Sequence, residues 1–470
     1  MGRRHIVVGG GVAGVTCAEE LGRMSKDDEV FLVSSDALLK KSKVVQVISE
    51  NVEEVDVALE CGESAFSHLR NVKSIQGMVS GVDVERKVLT LASGASMSYD
   101  TLCICTGASP KRVLDSDLVT VLRDTDSIAS MNEQLQHCTS LMVVGNGGIA
   151  LDIIAAIRGI ETYWIVRHEQ IGDAFFDGEV GAFLLEELQY FRSSSTRADE
   201  QPSSRKDGTY LKVGAGSSAG PKWTLDILTN LPQANEAKRL HIETNCEVLE
   251  LSRRIEDDKI RVTLSNGKEY SVDMVVSAIG VDPAPAVAWV PPSVHRSPHD
   301  GGILVDTSMK TSVPDVYAAG DACTLVDDSK TPWFQMRLWS QARSMGLRAA
   351  HCMLGVEDQM ASDLAFEMFV HVTRFLGKRV IFLGCYNGQK LEHDDGTDDD
   401  IRLYSRVAGT HPDRNFVRIV IQDGRVRGAI CIGETGLEET LENLILDGID
   451  VSAFGADILD PDVGIDDVFD

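Results

Sequence analysis

Two stretches of this chain repeat one pattern of apolar and small positions. In HIVVGGGVAGVTCAEELGR, Ile6, Val7 and Val8 form an unbroken apolar run that predicts a buried strand, and the spacing from Val12 to Leu21 predicts the start of a helix. Gly9, Gly11 and Gly14 lie between them in a GxGxxG turn. In LMVVGNGGIALDIIAAI, Leu141 to Val144 predict a second strand, Gly145 and Gly147 a second turn, Gly148 the opening of a helix and Ala150 the third small position. Glycine permits such a turn and lets the backbone approach a pyrophosphate, while the helix N-terminus offers unpaired N–H donors and a partial positive charge. One such turn is as often a tight strand-to-helix connection without a ligand. Two, each placed between a strand and a helix, predict two nucleotide sites.

The pattern continues along the chain. YDTLCICTGASP carries an apolar strand that ends at Thr106, Gly107 and Ala108, and VDMVVSAIGVDP a similar strand that ends at Ala278, Ile279 and Gly280. The second follows KIRVTLSNGKEYS, whose Asn266-Gly267 predicts a hairpin turn. In VPDVYAAGDAC, Gly320-Asp321 at a strand end offers a carboxylate and a backbone N–H to a polyol or a pyrophosphate. TPWFQMRLWSQARSMGLRAAHCM, after it, predicts one long helix in which Trp333, Gln335 and Trp339 either line a site or belong to the core. Residues 192–222, rich in Ser, Gly and charge, predict a flexible insertion. Farther on, FEMFVHVTRFLGKRVIFLGCY and FVRIVIQDGRVRGAICIGE predict two hairpins, the second turning at Asp423-Gly424. TGLEETLENLILDG predicts a helix with Leu437, Leu441, Leu444 and Ile445 at helical spacing, Thr435 as N-cap and Gly448 just past its end. No internal repeat stands out.

Charge and cysteine usage narrow the partners. With 45 basic and 72 acidic residues the formal net charge is −27, which repels a phosphate backbone and argues against direct binding of nucleic acid. No run approaches the roughly 18 apolar residues of a membrane span. The apolar residues behind MGRR already belong to the first strand, so neither a membrane anchor nor a cleavable leader is expected. Ten cysteines lie scattered without CxxC pairs or metal-like Cys/His spacing, which predicts a reducing compartment, small core thiols and no metal site. Cys103 and Cys105 face one side of a strand, where a disulfide would be strained. After Arg427 there is no Lys or Arg, while 12 acidic residues accumulate. The last stretch, DILDPDVGIDDVFD, interleaves them with Ile458, Leu459, Val463, Ile465, Val468 and Phe469. Such a segment either docks into a basic or metal-containing site or packs on its own domain.

In this order the pieces resemble the two-dinucleotide-binding-domain flavoproteins, the pyridine nucleotide-disulphide oxidoreductase superfamily. The resemblance implies an α/β fold of two Rossmann-like, glutathione-reductase-like domains plus a small α+β C-terminal domain. Residues 1–123 and 281–360 would form the FAD-binding domain, 124–280 the NAD(P)H-binding domain and 361–470 the C-terminal domain with its acidic tail. By that resemblance Gly9, Gly11, Gly14, Thr106, Gly107, Gly320 and Asp321 serve FAD, and Gly145, Gly147, Gly148, Ala150 and Gly280 serve NAD(P)H. An acid normally stands roughly 20 residues past the first glycine turn to grip the ribose; VFLVSSD offers Ser34 and Ser35, with Asp36 behind them. At the second site Arg167, in TYWIVRHEQ, replaces the acid; it either faces solvent or accepts a 2′-phosphate, so NADPH as well as NADH is open. No cysteine falls between Cys17 and Cys61, where one branch of the superfamily keeps its dithiol, and the central domain has only Cys138 and Cys246, far apart. The flavin is then the one redox centre, with Lys40 and Asp152 as the catalytic candidates, or as a solvated lysine and a helix-start acid.

The motifs VVGGGVAGVTCAEEL, RDTDS, VVGNGGIAL, FQMRLWSQAR and IGETGLEETLENLIL narrow the resemblance to one branch without the disulfide. That branch implies an FAD protein of nucleus and cytoplasm whose NAD(P)H-reduced state binds and protects the catalytic subunit of the tRNA ligase complex, its tail, here Asp466, Asp467, Val468, Phe469 and Asp470, reaching the partner. Two other classes stay open: a reductase that passes electrons to a small protein or small molecule, and a redox-gated binding module with negligible turnover. The oligomeric state is left open.

Overall fold

The first apolar run becomes the strand Arg4–Val8, and the fold is built outward from it. The computed structural model describes residues 2–122, 125–157, 159–193, 239–283, 287–326, 332–356, 366–391 and 401–460. Arg4–Val8 is central in a five-stranded parallel sheet, flanked by Thr101–Ile104 and Glu29–Ser34, with Val316–Ala318 and Val72–Gln76 outside them. Its inner strands, buried on both faces, read as largely apolar runs, as parallel sheets require, whereas the edge strand Val72–Gln76 is partly exposed. The helix Val12–Met24 covers one face.

A second parallel sheet has the same design. Ser140–Val144 is central, flanked by Met274–Ser277 and Glu161–Ile165, with Val119–Val121 and Leu240–Glu243 at the edges. Each unit also carries a three-stranded antiparallel meander between its second strand and the strand that returns beside the glycine turn. The sequence predicts no internal repeat; the structure shows a duplicated topology. The duplication is invisible because a buried parallel strand asks only for apolar character, so side-chain identity survives at the glycine turns alone. Val119–Val121 joins the second sheet ahead of residue 124, where the sequence starts this unit. The Asn266-Gly267 hairpin forms as predicted, with Gly267 at φ +81°.

The long helix begins later than predicted. Residues 332–338 lie outside regular secondary structure, and the helix runs over Trp339–Leu354. Two glutamines hold this non-helical segment in place of helical bonds. Gln335 accepts from Leu325 N–H (2.8 Å) and donates to the Cys323 carbonyl (2.9 Å), while Gln341 accepts from Met336 N–H and donates to the Phe334 carbonyl, both at 2.7 Å. The helix then crosses Val12–Met24 so closely that a Cβ on Gly346 would lie 2.4 Å from the Ala13 carbonyl oxygen.

The C-terminal unit is a five-stranded antiparallel sheet in the order Val370–Phe375, Lys378–Gly384, Arg425–Ile432, Asn415–Gln422, Arg402–Ala408. Asp423 (φ +54°) and Gly424 (φ +69°) make its predicted turn. The helix Glu438–Asp447 packs on Arg425–Ile432. Its N-cap is Leu437, not Thr435; the Thr435 hydroxyl instead donates to Glu438 Oε1 (2.7 Å). Ile458 and Leu459 are buried in this domain's core, so for this part of the tail packing on its own domain is the outcome. Residues 461–470, with the five candidate partner-binding residues, and most of the insertion lie outside the described residues.

Among the elements that were not foreseen is the hairpin Leu38–Val47/Glu53–Cys61. Its tip reaches the C-terminal unit, where Val52 is fully buried in the core, Asn51 N–H donates to Glu442 Oε1 (2.8 Å) and Arg374 pairs with Glu54 through two bonds of 2.7 and 3.0 Å. A second junction joins the helix Gly178–Ser193 to the same sheet. Arg418, 1 % exposed, contacts Asp177 and Glu179, while the buried Glu187 faces Lys378 (3.4 Å), His411 (3.4 Å) and Arg414 (3.6 Å). No helix among the described residues is long and apolar enough to cross a membrane.

Candidate functional site

The first glycine turn is shaped by close backbone approach. Gly9 has φ +123°, and a Cβ there would lie 2.1 Å from the Cys105 carbonyl oxygen; on Gly14 it would lie 2.0 Å from the carbonyl oxygen of Gly9. Only glycine closes this turn. Gly11, the helix N-cap, and Gly107, at φ +71°, instead face open space, with nothing within 4 Å of an added Cβ. Beside them the Thr106 hydroxyl is buried without a partner. Open glycines, an orphaned hydroxyl and a helix N-terminus together fit a bound pyrophosphate. Ser34 is buried and its Oγ accepts from Asp36 N–H (3.1 Å), whereas the Ser35 hydroxyl is at the surface, 3.4 Å from Asp36 Oδ1.

Lys40 and Asp321 are brought to this cradle from opposite ends of the domain. Lys40 N–H bonds to the Gly10 carbonyl (2.9 Å), which anchors the unforeseen hairpin beside the turn. Gly320 (φ +72°) packs on the first helix, where a Cβ would come within 2.8 Å of Ala13 Cβ, and turns the chain so that Asp321 follows in a short 3-10 turn. Burial raises the Asp321 pKa, and the charges of Arg337 and Lys40 oppose that rise. Arg337 is tied in by its Nε to the Asp321 carbonyl (3.2 Å) and by its Nη2 to Asp300 Oδ2 (2.6 Å). Burial pushes the Asp300 carboxyl up, but Arg337, Gly302 N–H, Ser297 and Thr324 outweigh it and hold the group down at about 2. Sequence reasoning singled out neither Arg337 nor Asp300. Of the three residues named as lining candidates, Trp333 is core, edge-on to Phe366 (4.9 Å), Gln335 is a backbone brace, and Trp339 packs partly buried against the core.

The second turn copies the first. Gly145 has φ +133°, and a Cβ there would lie 2.2 Å from the Ala278 carbonyl oxygen, as Gly9 stands to Cys105. The indole of buried Trp164 donates to the Gly145 carbonyl (2.7 Å) and pins the turn. Gly147 caps the helix with only Ala174 Cβ nearby (3.9 Å), while Gly148 and Ala150 are buried in its first turn. Asn146 folds the next loop over the turn, donating to the Gln170 carbonyl (2.7 Å) and accepting from Gly172 N–H (2.6 Å). Asp173 contacts both Asn146 and His168. Gly280, exposed at φ +96°, accepts from Lys111 N–H (3.0 Å). Asp152 is buried on the helix Gly148–Ala156, in this unit and not in that of Lys40. Arg167 lies just past Glu161–Ile165 and pairs with Glu247 (2.6 Å), a residue that sequence reasoning missed.

The family model for pyridine nucleotide-disulphide oxidoreductases matches residues 3–191 and 228–346, spanning both glycine turns and Asp321. The chain belongs to this family. As a member of it the chain takes FAD and NAD(P)H as cofactors, which the two cradles fit. Proteins named pyridine nucleotide-disulfide oxidoreductase domain-containing protein 1 are similar throughout. That of Homo sapiens is 36% identical over 99% of this chain and 98% of its own, and that of Dictyostelium discoideum 31% over 99% of each. Among solved structures, the ferredoxin reductase for the CYP199A2 system of Rhodopseudomonas palustris has a TM-score of 0.72 over 99% of both chains at 17% identity. A covalent putidaredoxin reductase–putidaredoxin complex gives 0.69 over 99% of this chain and 98% of that one at 16%. At such identities they share the fold.

For a pyridine nucleotide-disulphide oxidoreductase the thiols are placed unusually. Every cysteine is free, and eight of them are buried. Cys103 and Cys105 lie with sulfurs 3.5 Å apart, on the strand end behind the first glycine turn. Contact with Cys103 and burial raise the Cys105 thiol, and Cys103 is raised as well, since Cys17 and burial outweigh the lowering effect of Cys105. Such thiols are poor nucleophiles. Cys61 alone is exposed, at the end of the hairpin. Among the described residues no cluster of three His, Cys, Asp or Glu side chains could hold a metal.

Proposed function

We propose that this chain is an FAD-dependent NAD(P)H oxidoreductase whose flavin is its only redox centre. We further propose that the state left after hydride transfer binds and shields the catalytic subunit of a tRNA ligase complex in cytoplasm and nucleus. The carrying observation is the thiol inventory: the two nucleotide cradles of a disulfide oxidoreductase are present, but the thiols that meet, Cys103 with Cys105 and with Cys17, are all buried and held in the unreactive form. Bound FAD supplies the hydride acceptor, and the protein supplies binding and orientation. Gly9, Gly11, Gly14, Thr106 and Gly107 cradle one pyrophosphate, with Asp321 taking the adjacent polyol; Gly145, Gly147, Gly148, Ala150 and Gly280 cradle the other. Lys40 is bonded through its backbone N–H to the first glycine turn, and its charge acts on Asp321; there its ammonium would offset negative charge on a bound, reduced flavin. Asp152 belongs to the nicotinamide side.

The partner rests on the resemblance of the whole chain and on the acidic, apolar-studded tail. The first experiment mixes the protein with NADH or NADPH in air and without oxygen while flavin absorbance is followed. Bleaching that outlasts many minutes in air supports the protector, and a pull-down of the ligase subunit that needs NAD(P)H and fails after deletion of residues 461–470 completes it. Fast reoxidation, with steady turnover toward a small iron–sulfur protein, would favour a reductase instead. The ferredoxin reductase and putidaredoxin reductase that share this fold make that the acceptor to try.

A further inference from the structure

The ribose corner of the second nucleotide site holds a charge that its glycine fingerprint does not announce. A site of this kind is read, roughly 20 residues past its glycine turn, by an acid that accepts the 2′-hydroxyl of NADH or by an arginine that receives the 2′-phosphate of NADPH. Here the position is Arg167, and its Nε lies 2.6 Å from Glu247 Oε1. Glu247 comes from another element, directly before the meander strand Val248–Arg253. Its backbone is fixed twice to Ser265: its N–H donates to Ser265 Oγ (2.9 Å), and its carbonyl accepts from Ser265 N–H (2.8 Å). The neighbouring carboxylate, Glu243, is taken up by Lys268 (2.8 Å) and Tyr270 (2.6 Å). His168, next to Arg167, turns to Asp173. Glu247 is therefore the carboxylate that faces Arg167.

We propose that Glu247 is a specificity-determining residue, delivered from outside the nucleotide fingerprint so that the corner carries an acceptor and a cation together and takes NADH and NADPH with comparable affinity. The inference rests on the reading of the second turn as the NAD(P)H site. The pair is open to solvent, with the side chains 72% and 51% exposed. Exposed pairs are weak, so a phosphate of nearly two charges can draw Arg167 away, while the carboxylate remains for a 2′-hydroxyl.

The test is calorimetric titration of the holoprotein with NAD+ and NADP+, which involves no turnover. In the wild type the two dissociation constants lie within about tenfold of each other. Glu247→Gln shifts their ratio toward NADP+ by about fivefold, the scale of one exposed ion pair. Arg167→Ala weakens NADP+ by about tenfold or more and leaves NAD+ within about threefold. If Glu247→Gln leaves the ratio unchanged while NAD+ still binds, the inference is overturned and the nucleotide site stands. If neither nucleotide binds the wild type, both fall.

Discussion

A single cation, Arg337, joins three separate pieces of the first cradle. It bonds to the Asp321 carbonyl and to Asp300, reaches Thr324 (3.4 Å), and opposes the rise that burial imposes on the Asp321 carboxyl. The charged groups that act on Asp321 are Arg337 and Lys40, and both Asp321 and Asp300 act on the buried thiol of Cys323. Arg337→Gln removes the larger of the two opposing charges, so Asp321 protonates at higher pH and its hold on a polyol weakens as pH falls. The flavin-to-protein absorbance ratio after gel filtration should be lower in this variant at pH 6 than at pH 8, with Arg337→Lys restoring it; equal ratios at both pH values would refute the role. Asp300 gives a second readout. Its folded pKa, about 2, is depressed from the ordinary aspartate value of 3.8, so the stabilisation is complete above pH 4 and lost as pH falls toward 2. Allowing for its partial exposure, this amounts to about 1–2 kcal/mol. Asp300→Asn should flatten that acid limb in a plot of Tm against pH.

Among the elements, the glycine turns separate folding from binding. Gly9 and Gly145 are fixed by positive φ and by a carbonyl in the way of any Cβ, so alanine at either strains the turn by several kcal/mol. Gly11 has φ −76° and open space. Gly11→Ala should therefore cost the FAD-free protein about 1 kcal/mol or less, while FAD retention drops because the methyl enters the cradle. A Tm loss as large as that of Gly9→Ala would contradict this division. The turns were legible because an apolar run, glycines and a helical spacing are local signals. The hairpin Leu38–Val47/Glu53–Cys61 was not, because Lys40, Lys41 and Lys43 interrupt its alternation and its apolar tip is buried by a domain encoded hundreds of residues later. The run 332–338 read as the start of the helix because it leads without a break into the helical pattern, while the bonds that keep it out of the helix come from glutamine side chains. Asp300 and Glu247 reach their arginines only through tertiary structure, which leaves no mark in local pattern.

At the scale of the whole molecule, two nucleotide units of one design are joined to the C-terminal sheet at different points. The helix Gly178–Ser193 is held by Arg418, whose guanidinium is nearly inaccessible while its partners Asp177 and Glu179 reach solvent. Asp177 feels burial, but the contact with Arg418 outweighs it and lowers its pKa. Arg418→Met keeps the volume and removes the link. Because the two carboxylates can rehydrate, the loss should fall near the lower end of the roughly 3–5 kcal/mol seen on breaking buried pairs. The variant should show a lower Tm and faster limited proteolysis, with flavin content unchanged; release of flavin would mean that the junction supports the first cradle as well.

The other junction has a mechanical meaning. The strand Leu38–Val47 spans about 33 Å, with a shift of register between Val44 and Gln46. One end is bonded at Lys40 to the floor of the first glycine turn, and the tip beyond the other is sunk in the C-terminal core at Val52. One continuous stretch of backbone thus ties the first glycine turn to the core of the C-terminal domain, so neither can be displaced without bending the hairpin or breaking one of its two anchorages.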